Sequence, residues 1–191
     1  MEYPTVPWFL KVLSEYAFGQ ETRLQILSAI IIYAHIITYC DKMTWEFEHS
    51  IETNAGKEEI WALYCNVESW PLWDHGIEDV SLYGEFREGT QGKIKPEGQG
   101  FLSYRITLAD SDKGFSDETV IDNLKATIKF IHTFSDLPGG KIRLTNHVTI
   151  LCQGKEEMEK EIGESITSGV PQTMENIARM AIFMEKICRS K

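Results

Sequence analysis

A chain of 191 residues, 42% hydrophobic and 11% aromatic, has enough apolar material for one principal domain with a packed core. Its net charge of −10 repels phosphate backbones and anionic lipid surfaces, and no basic stripe offsets that field, so nucleic acid is excluded as a partner. Cys40, Cys65, Cys152 and Cys188 lack CxxC or zinc-type spacing and read as reduced core thiols of a cytoplasmic protein.

Residues 1–42 differ in character from the rest of the chain. The run Ile26–Cys40 is almost wholly apolar, but it is shorter than the roughly 20 residues that a bilayer span needs, and Ala-x-Ala cleavage chemistry is missing. Three readings stand open: a helix packing on the domain or on a second copy as a homodimer, a membrane-interfacial anchor, or an extension upstream of a mis-assigned start. The last has a specific motive, because Met43 opens a stretch that reads as the first strand of a complete domain over 43–191.

In that stretch Trp45, Phe47, His49 and Ile51 alternate with Glu46, Glu48, Ser50 and Glu52, the period of a half-buried strand. Asn54 is placed to cap a helix running to about Val67, with Ile60, Trp61, Tyr64 and Cys65 at helical spacing. Pro71 is expected to end that helix, leaving Trp70 and Trp73 to cover something apolar. From Ile77 to Leu151 turn signals separate six more strands, which short turns make antiparallel. Leu102, Tyr104, Ile106 and Leu108 form one apolar face; so do Ala126, Ile128, Phe130, His132 and Phe134, and Ile142, Leu144, Asn146, Val148 and Ile150. From Lys155 onward Met158, Ile162, Ile166, Val170, Met174, Ile177, Ala181, Met184 and Cys188 make a helical stripe, which Pro171 kinks or restarts near Gly169.

Particular residues add to this order of elements: Glu58-Glu59-Ile60-Trp61, Trp70-Pro71-Leu72-Trp73-Asp74, Glu88-Gly89-Thr90-Gln91-Gly92, Phe115-Ser116-Asp117, Phe130-Ile131-His132, the run 140–148, and Gly169-Val170-Pro171. Together, over about Thr44 to Ser190, they resemble the START-like superfamily and its polyketide cyclase/dehydrase branch. The resemblance implies an α+β helix-grip fold: a curved seven-stranded antiparallel sheet around a long C-terminal helix, with two short helices after strand 1. It also implies a cavity for a small apolar molecule, lipid-like, polyketide or aromatic, in a superfamily where only some members catalyse a reaction.

His132 shares the inward alternation and is the first candidate for a polar ligand contact, or for the acid/base of a cyclase, dehydratase or hydrolase. A core histidine satisfied by a neighbouring strand is the competing reading. Asn146, Tyr104 and Tyr83, which follows the phase of Ile77, Asp79 and Ser81, are candidates to orient the ligand. Trp61 and Trp73 are expected at the cavity mouth with Tyr64 and Trp70, and Met174 on the wall that the last helix presents; core packing is the competing role for each. Asp117 and Glu118 are adjacent on one strand and diverge, so they form no carboxylate pair. The five histidines have no ligand spacing, so neither a metal nor a cofactor is expected.

Overall fold

The alternation over Trp45–Thr53 forms an edge strand, β1, whose glutamates face away from the core. The computed structural model describes residues 45–152 and 156–189, and the chain divides into two units, Met1–Lys42 and Met43–Lys191. The expectations for residues 1–42, Cys40 included, lie outside the described residues. None of the described helices is long and apolar enough to cross a membrane.

After β1 comes helix α1 (Lys57–Cys65), then a single 3-10 turn (Val67–Ser69) and the one-turn helix α2 (Trp70–Trp73). Gly56, not Asn54, is the cap of α1, and Glu58 and Glu59 favour its positive end. Pro71 falls in the first turn of α2, where its missing N–H costs nothing, so it begins a helix where the sequence suggested an end. Six strands come next: β2 (Ile77–Leu82), β3 (Gln91–Pro96), β4 (Leu102–Asp110), β5 (Gly114–Ile121), β6 (Ala126–Leu137) and β7 (Lys141–Cys152). Every neighbouring pair is antiparallel, in the order β1-β7-β6-β5-β4-β3-β2. The chain ends in α3 (Glu156–Thr167) and α4 (Val170–Arg189), with Pro171 restarting the helix in the first turn of α4. These are the parts of the α+β helix-grip fold.

Two bulges correct the inward faces read from alternation. Between Ile106 and Leu108 the register of β4 on β5 slips, so Ile106 opposes Asp117 while Leu108 opposes Ser116. The extra residue reverses the alternation: Leu108 turns outward and is exposed, and Ala109 takes the inward place. A similar shift between Ile77 and Asp79 puts Val80 and Leu82 inward and leaves Tyr83, past the end of β2, 68% exposed. The cysteines differ from a uniform core set as well: Cys152 is buried, Cys65 half-buried and Cys188 exposed.

Gly114 opens β5 where the chain must touch β6. Its φ of 125° suits glycine, and a Cβ there would collide with the His132 carbonyl.

The apolar interior is two clusters. One lies under α1, α2 and α4 and holds Ile60, Tyr64, Trp70, Trp73, Tyr104, Ile106, Phe115, Phe134, Leu144, Met174 and Ile177. The other holds Ala126, Ile128, Val148, Ile150 and Cys152, covered by Met158, Ile162 and Ile166 of α3. Phe47 packs against both. The helix break at Ser168-Gly169 therefore coincides with the division between the clusters.

Candidate functional site

Polar side chains occupy that division. His49 pairs with Asn146, and Asn146 with His132, so the three lie side by side on the inner faces of β1, β7 and β6. His132 pairs with Phe115 on β5, and Asp117, two residues further along, shares that face. Tyr104, two residues from Ile106 opposite Asp117, completes an oblique belt across five strands. Along β6 and β7 this belt replaces the apolar residue of one inward position between Phe130 and Phe134, and between Val148 and Leu144.

Little in the protein satisfies the belt. Tyr104 Oη and Asn146 Oδ1 are buried without a hydrogen-bond partner among the described residues, and so is Nε1 of Trp73 in the neighbouring aromatic layer. A buried polar atom left in this state costs on the order of 1–3 kcal/mol. Asp117, only 7% exposed, approaches His132 Nε2 at 3.8 Å, beyond hydrogen-bond range. The proximity suggests an ion pair, but burial drives both groups toward neutrality. It pushes Asp117 up to about 7, with the Glu118 charge adding to the rise, and pushes His132 down to about 3. Burial, and then the Asp117 charge, also raise the Tyr104 phenol.

Rings form the walls. His132 stacks on Phe115 with centroids 4.4 Å apart and planes 12° from parallel, and the Phe130 ring lies 6.0 Å away with its plane 10° from that of His132. Tyr64 leans on both Phe115 and His132, while Trp70 contacts Tyr104, Phe115 and Trp73. Trp70 Nε1–H donates to the Tyr64 carbonyl at 2.9 Å, which fixes α2 against α1. Asn176 of α4 donates to the Trp73 carbonyl at 3.0 Å and ties the last helix to the same corner. Where the resemblance implies an open cavity, the protein's own rings stand in contact. A concavity of about 330 Å³ lies elsewhere, lined by Leu72, His75, Asn176, Arg179, Met180 and Phe183. It is open to solvent and holds none of the belt residues.

The sequence-derived candidates thus separate. Tyr104, His132 and Asn146 come together on the belt; Trp73 and Met174 are buried beside it in the aromatic cluster. Trp61 is half-buried and meets Phe86 edge-on at 5.7 Å. Tyr83 points to solvent and takes no part. His147 lies on the outer face, 3.7 Å from Glu46. Two residues escape the sequence reading. Asp117 reads there as part of the Phe115-Ser116-Asp117 run and as half of a diverging pair, with no ligand role, although its phase with Phe115 and Thr119 marks it as inward. Phe86, in the loop between β2 and β3, covers Phe115 at 5.2 Å and Trp70 at 6.5 Å, and no periodicity announces it. Among the described residues, no group of three or more His, Cys, Asp and Glu gathers to hold a metal.

No family model matches the sequence, and no curated protein matches it. Solved structures do match in fold. Norcoclaurine synthase from Thalictrum flavum superposes with a TM-score of 0.61 at 16% identity, over 77% of this chain and 91% of that one. Ara h 8.0201 gives 0.60 at 13% identity, over 73% and 99%, and a hypothetical protein from Helicobacter pylori gives 0.61 at 6%, over 73% and 88%. The likeness is one of fold: a helix-grip arrangement of a seven-stranded antiparallel sheet around a long C-terminal helix.

Proposed function

We propose that this protein binds a small, largely apolar molecule, aromatic or polyketide-like, between α4 and the inner face of the sheet. The observation that carries the reading is the belt itself: Tyr104 Oη and Asn146 Oδ1 are buried and unpartnered inside an aromatic wall. Such groups weaken the empty protein and are retained where a ligand completes them. Rings on most sides favour a planar ligand over a long acyl chain. Norcoclaurine synthase, one of the fold neighbours, has been crystallised with dopamine and hydroxybenzaldehyde, which supports ring-bearing ligands in this fold.

Replacing Asn146 with Leu and Tyr104 with Phe tests this directly. The ligand-free variants are expected to melt no lower than the wild type, while stabilisation of the full chain by aromatic and polyketide probes falls. Variants that melt well below the wild type and bind unchanged would make both groups structural.

A second reading, catalysis of the cyclase, dehydratase or hydrolase kind, is favoured by the Asp117–His132 approach. In it Asp117 rather than His132 carries the proton, because a group near 7 exchanges protons at neutral pH and one near 3 is a weak base there.

A further inference from the structure

We propose that the inner site is selective for a ligand bearing a protonated amine on an aromatic or apolar body, with Asp117 as its counter-ion. This rests on the ligand-binding reading above and names the class of ligand.

Asp117 is a carboxyl group lodged among rings without the company that buried carboxylates ordinarily keep. It makes no hydrogen bond to a described residue, and no described lysine or arginine pairs with it. Arg105, one strand away, is committed to Glu118 on the outer face at 2.6 Å, and Lys113 to Asp110. His132 is the one described basic side chain within 4 Å, and its stacked, buried ring resists the charged form. A carboxylate in such a place is stable only beside a positive charge, and the belt supplies none. An ammonium group brought by a ligand does.

The surroundings suit that charge. Phe115 precedes Asp117 by two residues on its own strand, Phe130 opposes it on β6, and Tyr104 lies diagonally across β4. Ring faces attract cations, and a desolvated ammonium gains more from them than one in water. The unpartnered Tyr104 hydroxyl, on the neighbouring strand, offers an oxygen to the remaining N–H groups, and Asn146 Oδ1 on β7 is left for a polar group elsewhere on the ligand. A ligand carboxylate in the same position would meet a like charge with no compensating donor pair. A neutral alcohol would bond to the belt but leave Asp117 without a partner.

The test uses three probes on one skeleton, 2-phenylethylamine, 2-phenylethanol and phenylacetate, titrated calorimetrically into the full chain. The amine is expected to bind roughly ten-fold more tightly than the alcohol, and the acid most weakly. In Asp117→Asn, which keeps the shape and removes the charge, the amine should fall to the level of the alcohol while the alcohol stays within about two-fold. An alcohol or acid that binds wild type as tightly as the amine overturns the amine assignment and leaves the ligand-binding reading standing. So does an amine preference that survives in Asp117→Asn. Failure of all three probes to bind overturns both.

Discussion

Asp117 and His132 shift in opposite directions from the same burial, which gives the folded protein a concealed pH dependence. Asp117 is raised, from 3.8 to about 7, so its contribution is fully favourable below about 4 and is lost as pH rises through 7. His132 is lowered, from 6.5 to about 3, so its contribution is present above 6.5 and is lost as pH falls through 3. Between about 4 and 6.5 the two slopes cancel. Removing either group should expose the other: His132→Phe is expected to gain stability as pH falls from 7 to about 4, and Asp117→Asn to lose it as pH falls below 6.5. Denaturant midpoints across that range, each variant compared with the wild type, check both signs. Parallel curves for all three proteins would mean that neither carboxyl nor imidazole is held neutral.

The element that covers the rings beside the belt is the loop joining β2 to β3. Gly89 bends it with φ at 86° and donates to the Ile106 carbonyl at 2.9 Å, while the Thr90 carbonyl accepts from the Ile106 N–H at 2.9 Å. The loop is thereby held to β4, and Phe86 is pressed on Trp61, Trp70 and Phe115. Phe86→Ala should lower stability by about 1–3 kcal/mol, less than loss of a fully buried ring because Phe86 is only half covered. It should also speed the association of an aromatic probe and increase acrylamide quenching of the tryptophans. A slower or unchanged association rate would leave Phe86 as core and nothing more. Elements such as this mark the limit of what the sequence conveys. Period-two runs make β1, β6 and β7 legible, because no bulge interrupts their alternation. The bulges in β2 and β4 insert a residue that no pattern declares, and they turn Tyr83 and Leu108 away from their expected places. Asp117 is hidden for another reason: a carboxylate on a strand suggests solvent until the partner strands are known.

Across the molecule, the seven strands and the closing helix can be anticipated, but the division of the core cannot. It depends on which helix lies over which strand positions, and α3 and α4 read as one stripe until Pro171 separates them. The division has a measurable outcome. Ile60 and Ile150 are both fully buried, one in each cluster. Truncating each to Val should cost about 1 kcal/mol, and the double variant should equal the sum within about 0.5 kcal/mol. A larger discrepancy in a double-mutant cycle would show the two clusters acting as one.

The polar belt also divides the labour of the sequence. The end beneath α3 contributes aliphatic packing and an inward cap, in which the Cys152 N–H bonds to Glu159 at 2.6 Å, and it touches no candidate ligand group except through Phe130 and Phe47. The end beneath α4 carries the rings, the loop and the helix break. Substitutions beneath α3 should therefore alter stability without reaching the belt, while those beneath α4 alter both.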